Sequence, residues 1–410
     1  MQRLKLITNA RVVDVETGSV SVPQSIAIRD GRIDGLFAAP LDSLDSVLDA
    51  DGAFVCPGLI DCHVHLFLDA SPDPLGAFVR SDDNAKLQTA TVNAARALAA
   101  GITTIRDCGG PADLIFRFKR MVDAGEIPGP GILAAGAPLT RIGGHCHFFG
   151  GEVSDARDVR LTIASQARMG ASFVKLITSG GGLTPGTRPY EADLPLELMR
   201  EAVVVARACG MHVSAHCHAT ESIVRALDAG VDIIEHASFV HQEGPPRFDR
   251  DIASRMKDQG TVASPTVISG IRIAEQLRKS CGTNGFDRAT VERLEARRRH
   301  AAQFCEAGVR IIAGSDCGVA GTAFDSLVDE LIEYSNAGIP RALALRSATS
   351  DSARYLGQPL LGQVKGGCPA DLLFLNMNPL ENLAALKEPV LVLRKGVIVC
   401  DRRNVPAGVS

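Results

Sequence analysis

Tryptophan is absent from the 410 residues and tyrosine occurs three times, so aromatic platforms for stacking unpaired bases are not expected. Neither sign of charge dominates. The 43 Lys and Arg against 47 Asp and Glu leave a formal charge of −4, too mild to draw nucleic acid or an anionic membrane. No run of about 18 apolar residues occurs, so no transmembrane helix is expected. The start, Met-Gln-Arg-Leu-Lys-Leu-Ile, lacks the long apolar segment and cleavage site of a secretory signal. No C-x-x-C occurs among the eleven cysteines, an odd number, Cys281 included. Buried, reduced thiols in a cytoplasmic protein are expected, with no disulfide framework. Cys62, Cys146, Cys217 and Cys317 flank candidate site residues and read as small side chains suited to tight strand ends.

What the chain does have is a rhythm. A helical segment ends in Gly and a β-rich run follows at once. Gly101 precedes Ile102-Thr-Thr-Ile-Arg106, Gly170 precedes Ser172-Phe-Val-Lys-Leu-Ile177, and Gly210 precedes Met211-His-Val-Ser-Ala215. Gly230, Gly260 and Gly308 likewise precede the runs at 231–235, 261–263 and 309–313. Gly just past a helix end supplies the left-handed residue that stops it. Leu59-Ile60 and Gly131-Ile-Leu-Ala134 bring the expected strands to eight. Helices are predicted over 155–169, 194–209, 287–306 and 325–337. Alternating strands and helices argue for an α/β fold with parallel strands. A (β/α)8 TIM barrel over 57–357 is favoured over a doubly wound sheet, because the candidate site residues come from many strand ends. Segments 1–56 and 358–410 read as short strands, among them 4–7, 10–13, 25–28, 371–375, 390–393 and 396–399. Neither segment has enough core alone, so both are expected to pack together as one small β-sandwich.

The chemistry begins at Pro57-Gly58-Leu59-Ile60-Asp61-Cys62-His63-Val64-His65. Side chains alternate along a strand, so His63 and His65 share a face, and two neutral imidazoles there form a ready metal-ligand pair. Lys175 stands mid-strand between apolar residues, an expensive place for an amine unless it is paired or modified. It can pair with an acid, or react with CO2 to give an anionic carbamate that bridges two metals. His216 ends Val213-Ser-Ala-His, His236 ends Ile233-Ile-Glu-His, and Asp316 follows Ile311-Ile-Ala-Gly-Ser315. Each stands at the carboxyl end of an expected strand, where barrel enzymes hold their catalytic groups.

These motifs resemble the amidohydrolase superfamily, the metal-dependent hydrolases typified by imidazolonepropionase, dihydroorotase and prolidase-like dipeptidases. The resemblance rests on the 57–65 run, Ile234-Glu-His236-Ala and Ala313-Gly-Ser-Asp316, with Ala370-Asp-Leu-Leu-Phe-Leu375 resembling the C-terminal sandwich return. It implies two divalent ions, most often zinc. His63 and His65 would bind the buried one, His216 and His236 the exposed one, carboxylated Lys175 would bridge them, and Asp316 would complete the buried site. It also implies hydrolysis of an amide bond, in a dipeptide of Xaa-Pro type or an N-acyl amino acid. A hydroxide shared by the ions would attack, with Asp316 as general base and then acid. A cyclic-amide hydrolase or a deaminase is the alternative. Deaminases place a Glu three residues after the fifth-strand His; here that position is Ala219, with Glu221 nearby.

Ile142-Gly-Gly-His145-Cys-His147 is the expected source of an oxyanion donor, and prolidase-like members carry a Gly-Gly-His stretch there. His218 is expected to contact substrate, at a place where many relatives carry Tyr. Tyr190 is a further expected substrate contact, and Arg188 reads as solvated. Gly180-Gly181-Gly182 lacks the spacing of a phosphate loop and reads as a flexible active-site loop. The run Arg297-Arg-Arg-His300 reads as a solvated helix face. His147 and His241 receive no role. The expected partner is a small-molecule substrate, and the resemblance implies a homo-oligomer.

Overall fold

A computed structural model describes residues 5–38, 47–280 and 288–403. Leu4, Cys281 and Asp287, expected in a strand, among the thiols and at a helix start, lie outside these residues. Seven parallel strands alternate with helices, as the Gly-punctuated rhythm requires. They are β1 (Leu59–Val64), β2 (Ile102–Asp107), β3 (Gly131–Ala134), β4 (Phe173–Ile177), β5 (His212–His216), β6 (Ile233–Glu235) and β7 (Val262–Ser264). The pairing β1-β2-β3 forms one parallel sheet and β4-β5-β6-β7 another. The six glycines named above all have positive φ, from 69° at Gly210 to 104° at Gly170.

The two parallel sheets are joined at both edges. On one side the Ser172 N–H donates to Ala134 O at 2.8 Å, and Leu139 N–H to Lys175 O at 2.8 Å. On the other, Ile311 pairs with Ala263 as a single parallel bridge. The Cys62 N–H then donates to Ala313 O at 2.9 Å, and Asp316 N–H to His63 O at 2.7 Å. The expected eighth strand, 309–313, is thus reduced to one bridge. Its backbone is drawn toward Ser315 and Asp316, whose groups bond to β1 instead of continuing a ladder.

Burial explains why these strands read as apolar runs: β1, β2 and β4 are buried at every position. The helices flank them, with Ala156–Met169, Leu196–Ala208, Arg288–Glu306 and Leu327–Asn336 close to expectation. One large core runs through strands and helices, from Leu59 and Phe116 to Leu331 and Leu345.

Strands from both chain ends join one nine-stranded sheet with its own core around Ile7, Ile26, Leu372 and Phe374. Its junction pairs Phe54–Pro57 antiparallel with Leu372–Leu375. The expected runs at 4–7 and 10–13 are one strand, Leu6–Asp14, with its register shifted between Ile7 and Ala10 and Asn9 at φ 55°. An irregularity of this kind interrupts alternation, which is why the sequence reads as two strands. All described cysteines are free; Cys209 is exposed, against the expectation of burial, while Cys56, Cys62, Cys108, Cys146, Cys217, Cys317 and Cys368 are buried. Among the described residues no helix is long and apolar enough to cross a membrane.

Candidate metal centre

The carboxyl ends of the parallel strands open into a cavity of about 660 Å³. His63, His65, His145, Lys175, His216, His218, His236 and Asp316 all line it. All eight are buried. Period-two alternation along β1 delivers His63 and His65 to one side, their Nε2 atoms 3.4 Å and 3.5 Å from Asp316 Oδ1. Ring centroids lie 5.0 Å apart for His63 and His236, and 4.5 Å apart for His216 and His236.

Three overlapping groups have donor atoms within 4.8 Å of one another: His63, His236 and Asp316; His216, His218 and His236; and His63, Cys108 and Glu235, of which Cys108 and Glu235 do not line the cavity. Burial lowers the pKa of His216, His218 and His236 well below the ordinary value, and neighbouring histidines push the same way. Neutral rings with free lone pairs, beside one carboxylate, are the donor set a divalent transition metal takes. Lys175 fits as well, for its Nζ is buried without a hydrogen-bond partner. Its nearest acid is Glu235, with Oε1 at 3.8 Å.

The backbone is strained where these groups sit. His236 and Asp316 have φ of 64° and 61°, and Cys146, next to His145, has 60°. Each such residue costs about 1–3 kcal/mol and persists where its surroundings over-determine it. Those surroundings are visible. The Nδ1 of His236 is 2.7 Å from Thr266 Oγ1, and His65 Nδ1 is 3.0 Å from Gly109 O. Ser269 donates to Asp316 Oδ2 at 3.2 Å. Ser269 is held at the start of the helix Val267–Ser280, whose first N–H groups, of Val267 and Ile268, donate to the Glu330 carboxylate at 2.8 Å and 2.6 Å.

Glu235 and Arg106 are members the sequence reading missed. Glu235 Oε2 sits 2.8 Å from His63 Nδ1, and Oε1 accepts from Ser214 at 2.9 Å and from Arg106 Nη2. Burial pushes the Glu235 pKa up, but Arg106, then Lys175 and His63, overcome it and hold the carboxyl well below the usual range. The signal that singled out Lys175, a charge inside an apolar strand, applies equally to Arg106 in Ile102–Asp107 and to Glu235 in Ile233–Glu235.

His145 comes from the loop beyond β3, its ring 4.9 Å from that of His216. Burial, then His65, lower its pKa to about 3, and its Nδ1 has no partner. It lies directly against Gly181, where an added Cβ would stand 2.5 Å from His145 Nε2. Gly181 therefore serves close approach, and the glycine run shapes the cavity wall. His218 stacks on His236 at 4.5 Å, and its Nδ1 bonds Ser238 Oγ at 2.9 Å, which places it inside the histidine cluster.

Other expected residues stay apart. Tyr190 does not line the cavity; its hydroxyl accepts from Arg188 Nη1 at 3.0 Å. His147 closes a turn on Gly144 O, and His241 bonds Thr220. Glu221 is paired with Arg225 at 2.9 Å. The Arg297–His300 run corrects the expectation of a solvated face: Arg297 and His300 are buried and Arg297 lines the cavity.

A sequence profile of the amidohydrolase family matches residues 54–399. The chain belongs to the amidohydrolase family. An uncharacterized protein of Mycobacterium tuberculosis is 28% identical over 402 residues, 97% of this chain and 99% of the relative. Ochratoxinase of Aspergillus niger is 26% identical over 377 residues, 82% of this chain and 73% of the enzyme. Among solved structures, a Xaa-Pro dipeptidase with methionine in its active site matches with a TM-score of 0.86 at 26% identity, covering 96% of this chain and 98% of the dipeptidase. Amidohydrolase membership supports a hydrolase acting on carbon–nitrogen bonds, and the family typically uses divalent metals, for which the His and Asp groups above are suitable.

Proposed function

We propose that this amidohydrolase is a binuclear metallohydrolase cleaving the amide bond of a dipeptide, Xaa-Pro-like, or of an N-acyl amino acid. The observation that carries this reading is the convergence of His63, His65, His216, His236 and Asp316 around a buried Lys175 amine that has no hydrogen-bond partner. On this reading the parallel strands form a (β/α)8 barrel over 57–357, with Ile311 as the eighth strand, and segments 1–56 and 358–410 form the accompanying β-sandwich.

His63, His65 and Asp316 would hold one cation, His216 and His236 the other, and carboxylated Lys175 would join them. Divalent ions, zinc in the first instance, would supply Lewis acidity and a lowered pKa for water. The chain's own residues do the rest. Asp316, fixed by Ser269 and close to His63 and His65, accepts a proton from the attacking water at Oδ1 and returns it to the leaving nitrogen. His145, neutral at pH 7, offers a ring N–H to the carbonyl oxygen as charge develops there. The histidine cluster leaves His218 to orient substrate beside Ser238. A cytoplasmic homo-oligomer acting on a small molecule completes the reading.

Similarity to a Xaa-Pro dipeptidase supports the choice of amide bond. The deaminase alternative loses ground because Ala219 stands where its acid belongs and Glu221 is spent on Arg225. The test is elemental analysis of the purified chain together with a library of dipeptides and N-acyl amino acids. About two metals per chain and hydrolysis of at least one library class support the reading. One metal per chain, with ammonia released from an amino-substituted ring, would overturn it.

A further inference from the structure

Arg297 belongs to a helix that contributes no residue to the proposed metal set. It is 6% exposed, yet it lines the cavity. Its guanidinium bonds run to neutral oxygens from one nitrogen: Nη1 donates to Thr266 O and Oγ1 at 3.1 Å each and to Ser269 Oγ at 3.2 Å. Nε has no hydrogen-bond partner, and the carboxylates of Asp316 and Glu330 attract the group without an ion pair to it among the described residues. Burial of such a cation is costly unless a counter-charge arrives. The Nε–Nη2 edge left over is the fork that matches a carboxylate with two parallel bonds. Thr266 and Ser269, which anchor Nη1, also hold His236 and Asp316, so the fork is fixed relative to the reacting centre. Arg293 of the same helix also lines the cavity, while Arg188, in the loop after β4, is turned to Tyr190 and, at 3.6 Å, to Glu191. Apolar residues that line the same cavity include Leu183, Ile273 and Val319.

We propose that Arg297 is the specificity-determining residue that binds the free carboxylate of the substrate, so that the site takes acids bearing an apolar side chain and discriminates against their neutral amides. This inference rests on the amide-hydrolase reading for its substrate class, but it concerns binding and is tested apart from turnover.

The probe is 2-benzyl-4-oxopentanoate, in which CH2 replaces the amide N–H of N-acetylphenylalanine so that it is not cleaved, together with its carboxamide. Calorimetry on the metal-loaded wild type is expected to show the acid bound about 10- to 100-fold tighter than the amide, the range of a charge-assisted pair. In Arg297→Gln the two are expected to bind alike, within about threefold, with the amide's own affinity unchanged. Four outcomes overturn the proposal: equal binding of both probes to wild type, no binding of either, an acid preference that survives in Arg297→Gln, or equal loss of both ligands in that variant. Should Arg297→Gln not fold, Arg297→Lys makes the same comparison, a reduced preference supporting the proposal and an unchanged one overturning it. Hydrolysis of N-acetylphenylalanine is scored separately. An Arg297-dependent acid preference without any cleavage sinks the amide-hydrolase reading and leaves the carboxylate site standing.

Discussion

Glu235 Oε2 lies 2.8 Å from His63 Nδ1, and the same carboxylate binds the buried Arg106 and approaches Lys175. One anion thus fixes the orientation of an expected metal ligand while neutralising Arg106. Such partners of ligand histidines are commonly worth 10- to 100-fold in metal affinity. Glu235→Gln is expected to weaken zinc binding by about that factor, read by competition with a chromophoric chelator. Leaving Arg106 buried without its acid should also cost about 3–5 kcal/mol in urea unfolding. Unchanged zinc affinity in a folded variant would remove Glu235 from the metal's support.

Lys175→Ala deletes the amine that stands without a hydrogen-bond partner. Activity and metal content are both expected to fall together. A short carboxylic acid such as propionate or formate, small enough to occupy the vacated space and supply two oxygens, should restore part of each. Full activity in the variant without added acid refutes the bridging role.

Gly181→Ala would set a methyl 2.5 Å from His145 Nε2. The ring must move, since Gly181 lies in a wall held by Thr187. The backbone there has no positive φ, so folding should survive. Turnover on whichever substrate the library yields should drop by about 100- to 1,000-fold, the scale of losing one oxyanion donor. Retained turnover assigns carbonyl polarisation to some other group.

His300 gives a stability prediction with a defined sign. Burial, then Arg299 and Arg297, lower its pKa from 6.5 to about 4. Below 6.5 the unfolded chain takes up a proton that the folded chain refuses, so stability falls as pH drops from 6.5 toward 4. Between pH 7.5 and 5 this group contributes a loss of about 2 kcal/mol. His300 packs against Phe239 and Phe248, and His300→Phe keeps an aromatic ring in place. Urea titrations at the two pH values should show the variant losing about 2 kcal/mol less than wild type. Equal losses exclude His300 as the source.

The proposed metal set was legible because its histidines and Asp316 stand at or just past the ends of apolar strand runs, while Lys175 interrupts one midway. Glu235 and Arg106 obeyed the same rule but carried no motif of their own, so only the contact between them reveals their task. Arg297 was misread for a different reason. A helix with three consecutive basic residues looks solvated unless one knows what it packs on, and 288–306 lies against the helix Val267–Ser280 at the cavity wall. The alternation of strands and helices showed where β1 to β7 lie. It overstated the last run, because the bonds it exchanges with β1, where Ala313 O accepts from Cys62 and Asp316 N–H donates to His63 O, shape 309–316 rather than local propensity.

The sheet junction between Phe54–Pro57 and Leu372–Leu375 has a consequence for biosynthesis. The opening strands leave the ribosome long before their partners exist, and their apolar faces must wait through translation of everything between. Contacts this distant in order close slowly. Until the closing strands arrive, the nascent protein carries an open edge that chaperones must shield or that neighbouring chains can capture.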